Sequence, residues 1–250
     1  MKAVLLSCFL LLFGAAPQSG ASMAVGPSYK TIEVNERRIS SIERKVRNAA
    51  VRVSKPLSGH GSGSLIKYKD LQLVLTAQHV ADGTIGERYL LSHASDARIG
   101  ILLYSDEQHD IAVLLVQQPF ETEYVLKYSP REGVPEIGSL ITYSGFPAGH
   151  RLMTYRGRVA GYETFATGDI QILLHTFGYF GCSGSVIYDE HGDIVGILWG
   201  IDRGRDRSTS LEDMIWVSPI GNLNLDLALR GFCEPVSYTH LRAHETVLDL

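Results

Sequence analysis

Apolar residues recur along this chain in short runs, three to seven residues long, parted by glycine, proline and polar clusters. Runs of that length, alternating or wholly apolar, are too short for helices that cross a core and fit β-strands. Twelve are readable: Ala49–Val53, Ser64–Ile66, Leu71–Thr76, Tyr89–Leu91, Ile99–Tyr104, Ile111–Val116, Leu140–Phe146, Gly157–Tyr162, Ile170–Leu174, Ser185–Tyr188, Ile194–Trp199 and Ile215–Val217. The stretch Lys127 to Gly138, with Pro130, Gly133, Pro135 and Gly138, splits them six and six and reads as a linker. Many short strands joined by turn residues suit sandwiches or barrels, so an all-β chain in two halves is expected.

Two segments depart from the strand pattern. Ile39, Ile42, Val46 and Ala49 follow one another at helical spacing and predict a short N-terminal helix leading into the first half. Ile220, Leu223, Leu225, Leu227 and Leu229, with Arg230-Gly231 after them, predict a closing C-terminal helix capped by glycine. The expected organisation is leader and helix 22–48, first barrel 49–126, linker 127–138, second barrel with closing helix 139–235. At the start, Lys2, an apolar stretch from Ala3 to Ala16 and then small residues have the layout of a secretory signal over 1–21, cut after Ala21 or Ala24. Its apolar part is short of the roughly 20 residues a membrane-spanning helix needs. A secreted or periplasmic protein without stable membrane insertion is expected. At the far end, Val236-Ser-Tyr-Thr-His-Leu-Arg-Ala-His-Glu-Thr246 resembles the in-frame translation of a transposase-based sequencing-library adapter, so 236–250 is read as not of natural origin.

Composition narrows the picture. With 45% hydrophobic and 20% charged residues, the 250-residue chain is not collagen-like, coiled-coil or disordered. Its net charge of −4 has no basic excess, which argues against nucleic acid as a partner. Of three cysteines, Cys8 falls in the signal; Cys182 and Cys233 make one pair at most, so no disulfide framework is expected. His-Glu-x-x-His and Cys-x-x-Cys are both missing from the sequence, and neither metal nor cofactor is expected.

Three segments carry candidate chemistry. In Leu73-Val-Leu-Thr-Ala-Gln-His79-Val-Ala-Asp-Gly83 a strand runs into a histidine, which places His79 at a strand end beside a cleft or, more plainly, in a structural turn. In His109-Asp110-Ile-Ala-Val-Leu-Leu-Val116 a carboxylate opens a strand apolar on both faces; Asp110 either accepts an imidazole N–H or starts a surface turn. A buried carboxylate is costly unless hydrogen-bonded. The third, Gly178-Tyr-Phe-Gly181-Cys182-Ser183-Gly184-Ser185, brackets a serine with glycines, whose freedom either lets the amides of Gly181 and Ser183 converge on one oxyanion or simply makes an ordinary tight turn.

Taken together, Gly61-Ser-Gly-Ser-Leu-Ile66, Leu75-Thr-Ala-Gln-His-Val80, Asp110-Ile-Ala-Val-Leu114, Gly145-Phe-Pro147, Gly181-Cys-Ser-Gly-Ser185 and Asp193-Ile-Val-Gly-Ile197 resemble the trypsin-like, chymotrypsin-fold serine proteases, above all the HtrA-like and glutamyl-endopeptidase branches, over residues 49–230. The resemblance implies two six-stranded antiparallel β-barrels and acyl transfer in the cleft between them, with Ser183 as nucleophile, His79 as general base, Asp110 orienting it, and protein or peptide substrates. It also implies that Phe177, six residues before the nucleophile, floors the substrate pocket, with Trp199 and Gly200 as a wall. An uncharged aromatic floor argues against Lys/Arg selectivity and for small or medium apolar residues before the cut. His175 and the run Arg203, Arg205, Arg207 are further candidates for selectivity, or a packed histidine and a solvated turn. Where zymogen-activated members carry an acidic residue this chain has Cys182, so activation by a clamped N-terminus is not expected. An α/β-hydrolase wants Gly-x-Ser-x-Gly with its histidine downstream, which this order does not supply. The alternative to an enzyme is an inactive homologue that binds a protein or peptide in the same cleft.

Overall fold

The structure, a computed structural model, describes residues 39–55, 59–165, 168–203 and 209–230. The expected signal, the leader as far as residue 38, the glycine cap and the tail lie outside those residues.

The entry helix α1 spans Ser41–Ala49. Ser40 starts it: its hydroxyl accepts from the Glu43 amide, and the Glu43 carboxylate accepts from the Ser40 amide, at 3.2 and 2.6 Å, which satisfies two amides that a helix start otherwise leaves open. Its buried residues are Glu43, Val46 and Ala49. A carboxylate is tolerated there because the Arg156 guanidinium, on the second barrel, pairs with it. Arg47 adds bonds to the Leu152 carbonyl and the Thr154 hydroxyl. Thus α1 leads in sequence into the first barrel but is fastened to the second. The Arg156 hydrogen bond holds the Glu43 carboxyl below its ordinary pKa, against burial. A lowered carboxyl pKa contributes stability above the unfolded value and loses it as pH falls through the folded one. Glu43→Ala is expected to cost about 2 kcal/mol at neutral pH, and the deficit to shrink below about pH 4; urea unfolding at several pH values measures both.

The first barrel consists of β1 Ala50–Ser54, β2 His60–Tyr68, β3 Leu71–Thr76, β4 Arg88–His93, β5 Asp96–Asp106 and β6 Ile111–Val116. They pair antiparallel in the order β1-β4-β5-β6-β3-β2, and β1–β2 closes the ring. A two-residue strand not expected from the sequence, β7 Leu126–Lys127, lies parallel to β2. The second barrel consists of β8 Leu140–Gly145, β9 Met153–Thr164, β10 Ile170–His175, β11 Val186–Asp189, β12 Ile194–Arg203 and β13 Ser210–Pro219, closed in the order β10-β13-β12-β11-β8-β9. The expected architecture of two six-stranded antiparallel barrels is what the structure shows.

Each barrel has its own core, around Val53, Leu65, Val74 and Leu114 in the first and Tyr143, Ile172, Ile187 and Val217 in the second. A third cluster joins them: Leu73, Leu75 and Val113 meet Val186, Tyr188 and Ile197, covered by Ile220, Leu225 and Leu229. Each such buried aliphatic side chain contributes about 1.5–3 kcal/mol, so the seam is a packed interface and residues projecting from it hold their spacing. The closing helix is shorter than expected: a 3₁₀ turn at Ile220–Asn222, then α2 at Leu225–Ala228, capped by the Asn224 side chain. The reason is the spacing of Leu223, Leu225, Leu227 and Leu229, every second residue rather than helical, which leaves Leu227 60% exposed.

Candidate active site

β3 ends at Thr76, Ala77 stays extended, and a single 3₁₀ turn, Gln78–Val80, projects His79. Asp110 is the last residue of the turn from β5 into β6 and has φ +54°, a left-handed conformation that aspartate tolerates better than most residues with a Cβ. Its carboxylate takes both groups His79 offers. One oxygen accepts from the backbone amide at 2.8 Å and the other sits 2.6 Å from Nδ1. The proton of the neutral ring is therefore on Nδ1, and Nε2 keeps its lone pair for a partner on the cleft side.

Ser183 lies in the loop that enters β11. Its carbonyl accepts from the Ser62 amide at 2.7 Å, the next amide, Gly184, donates to Leu198 at 2.7 Å, and Leu198 donates to Ser185 at 2.9 Å. Ser62 is on the first barrel and Leu198 on the second, so the serine is stitched into the seam. Gly184 has φ +86°, and a Cβ there would lie 2.2 Å from the Ser62 carbonyl and the Thr76 hydroxyl. Gly61, in turn, lets both the Ser183 carbonyl and the Val80 side chain approach within 2.9 Å of where its Cβ would stand. These two glycines permit the backbone of the serine loop to lie against Thr76 and Ala77 at the end of β3, three and two residues before His79. No hydrogen bond links Ser183 to His79 among the described residues. Gly184→Ala is expected to destabilise the protein by about 3 kcal/mol or more, read as a lowered melting temperature; an unchanged melting temperature would mean that the loop lies further from β3.

Within this loop the amides of Cys182, Gly184 and Ser185 donate to the carbonyls of Tyr179, Leu198 and Cys182. Among the described residues the amides of Gly181 and Ser183 have no backbone acceptor. The peptide that carries the Gly181 amide is held at its carbonyl, that of Phe180, by the Ala148 amide at 2.7 Å, and in the next peptide Ser62 Oγ donates to the Gly181 carbonyl at 2.7 Å and accepts from the Phe146 amide at 3.0 Å. Gly181 itself has φ +96°. Cys182 is fully buried in the second barrel's core, and burial raises its thiol pKa, so it packs as a small apolar residue.

A cavity of about 320 Å³ adjoins His79 and Asp110, lined also by Gln78, Phe165, Gln171 and Trp199. Trp199 lines this cavity: its indole N–H donates to Gln171 at 2.9 Å and it stacks on Trp216 with centroids 6.4 Å apart. Gly200, next to it on β12, has open space where a Cβ would be. Phe177 lies apart from this cavity. Its carbonyl is held by the Tyr143 hydroxyl, its ring packs on Tyr155, and it lines a separate recess with His175, Arg156 and Asp213. It does not share the cavity of His79. His175 is exposed there, 3.8 Å from Asp213. Arg203 is exposed at the end of β12, and Arg205 and Arg207 lie outside the described residues. Sequence reading missed Phe165 and Gln171, which only the pairing of β9 with β10 brings to the cleft. Among the described residues no group of three or more His, Cys, Asp or Glu is arranged to hold a metal ion.

A family model described as the trypsin-like peptidase domain matches residues 61–197. No curated protein matches the sequence. Among solved structures, the Rv3671c protease from M. tuberculosis in an active form is 17% identical with a TM-score of 0.62, over 78% of this chain and 86% of that one. An inactive mutant form of the same protein gives 16% identity and 0.61, over 81% and 96%. The serine endoprotease from Yersinia pestis gives 20% and 0.56, over 74% of this chain and 64% of that one. At such identities the likeness is one of fold.

Proposed function

The chain belongs to the trypsin-like peptidase family, and from that premise we propose that it is an exported serine endopeptidase using His79, Asp110 and Ser183. Ser183 Oγ attacks the scissile carbonyl as His79 Nε2 takes its proton; the imidazolium that forms is steadied by Asp110 and then gives the proton to the leaving amine. Water repeats the sequence on the acyl-enzyme. The amides of Gly181 and Ser183 receive the tetrahedral oxyanion, worth about 3 kcal/mol for each donor. The observation that carries this reading is the bond of Asp110 to both the amide and Nδ1 of His79, at the seam where the Ser183 backbone is tied to Ser62.

Export is supported by the signal-like pattern of residues 1–21. No helix among the described residues is long and apolar enough to cross a membrane. The preference for apolar residues rests on Phe177 as the floor and Trp199 and Gly200 as the wall of the substrate pocket. A fluorophosphonate probe tests the nucleophile: wild type labels and Ser183→Ala does not. An unlabelled wild type that still binds peptide would make the chain a binding module instead. Cleavage of a peptide library then reads the side-chain preference.

A further inference from the structure

His109 precedes Asp110 in the same turn and is held at both ring nitrogens. Nδ1 lies 2.7 Å from Asp106, whose other oxygen accepts from the His109 amide at 3.1 Å. The Asp106 carboxylate thereby fastens the turn that forces Asp110 into its left-handed conformation. Nε2 reaches across to the second barrel, where Asp169, between β9 and β10, lies 3.4 Å away. The neighbouring Gln108 side chain donates through Nε2 to the second Asp169 oxygen at 3.0 Å. Asp169 in turn accepts at its carbonyl from the Phe165 amide at 3.0 Å, and the Phe165 ring packs edge-on to Trp199 and Trp216 with centroids 6.0 and 5.7 Å away. One imidazole thus connects the turn bearing Asp110 to the aromatic wall of the cavity beside His79.

A neutral imidazole has one N–H and cannot donate to two carboxylates; the imidazolium has two. We propose that protonated His109 is a positioning residue, an inter-barrel brace that holds the Asp110 turn against Asp169 and Phe165 and so sets the width of the cleft that receives substrate. The ionisable groups around it are Asp106, Glu107 and Asp110 on its own turn, Tyr104 on β5, Asp169 between β9 and β10, and His79 across the cavity. The Tyr104 hydroxyl, pushed up to about 12 chiefly by burial, donates to Asp106 at 3.1 Å and stays protonated throughout. Burial opposes the charge on His109, but the hydrogen bonds and charges of Asp106 and Asp169 outweigh it and raise its pKa. With a raised pKa the brace is complete below the ordinary imidazole value of about 6.5 and is lost as pH rises through the folded one.

Asp169→Asn tests this, since it keeps an acceptor for Gln108 and removes the charge that faces His109. The arm read by kinetics rests on the proposed peptidase activity; the arm read by titration does not. Below about pH 6.5, KM for a peptide long enough to fill the cavity is expected to rise about five-fold with kcat changed by less than about two-fold. The two KM values are expected to converge once His109 is neutral, and Asp169→Glu to recover part of the loss. Equal KM values at low pH, or a difference that persists unchanged at high pH, would overturn the brace. In the Ser183→Ala background, NMR titration of His109 is expected to move to lower pH on Asp169→Asn, and an unmoved titration overturns the proposal whether or not the protein is active. A wild type that fails to label with fluorophosphonate counts against the peptidase reading alone, and the titration still decides the brace.

Discussion

Ser183→Ala is expected to lower kcat/KM on any peptide substrate by about 10⁵ to 10⁶, with stability changed by less than about 0.5 kcal/mol. The two parts follow from different atoms. What seats the residue is backbone: its carbonyl on the Ser62 amide and the neighbouring Gly184 amide on Leu198. Alanine keeps both, and its methyl fits wherever the serine Cβ does. What is removed is one oxygen, the group His79 would deprotonate. No neighbour can stand in for it. Cys182 is one residue earlier and wholly buried, with its thiol pKa raised by burial. The residue of activity is expected to exceed uncatalysed hydrolysis by about 10³ to 10⁴, because the amides of Gly181 and Ser183 and the cleft remain. Replacing His79 as well is expected to add little, since the pair acts as one unit. Progress curves and a melting temperature on the same preparation check both parts, and a variant that retains near-normal turnover would remove Ser183 from the chemistry.

The barrels were legible in the sequence because their strands alternate apolar and small residues between glycine-rich turns, a pattern that pleating imposes locally. β7 was not, since two residues carry no periodicity and Leu126 and Lys127 become a strand only by lying beside β2. The strands also run further than their apolar parts: β13 begins at Ser210, and its first residues are held only by Asp202 and Arg203 of β12 opposite them, a pairing that polar residues permit and do not announce. At the site, local motifs singled out His79, Asp110 and the glycines around Ser183; Asp110 bonds His79, and the Ser183 carbonyl accepts from the Ser62 amide. Counting back from a serine assumes the path of the chain and so does not say where the Phe177 ring goes; here the Tyr143 hydroxyl holds the Phe177 carbonyl and the ring packs on Tyr155. The partners of His109 escaped for a related reason. Asp106 lies two residues beyond the apolar run Ile99–Tyr104 and Asp169 is 60 residues distant from His109; the two become neighbours only after both barrels have closed.

Asp110→Asn is expected to lower turnover by about 10⁴ while leaving the fold intact. Asparagine has the same shape and also tolerates the left-handed backbone that this position needs; the Asp106 contacts that fasten the turn do not involve residue 110. One oxygen can still accept from the His79 amide. The change is confined to the second contact, where a carboxylate oxygen 2.6 Å from Nδ1 is replaced by an NH₂ group. Two donors cannot face each other, so the ring must turn its proton to Nε2 and accept at Nδ1 instead. The nitrogen that should receive the Ser183 proton then already carries one, and the imidazolium formed in the transition state loses its counter-charge. Both effects fall on the chemical step, so kcat drops far more than KM rises, and fluorophosphonate labelling slows in parallel because it uses the same proton transfer. Asp110→Ala separates geometry from charge: it loses the hold on the His79 amide too, and is expected to be no more active than the asparagine variant. Should Asp110→Asn turn over near the wild-type rate, the hydrogen bonds it makes to His79 would be supports of a turn and nothing more.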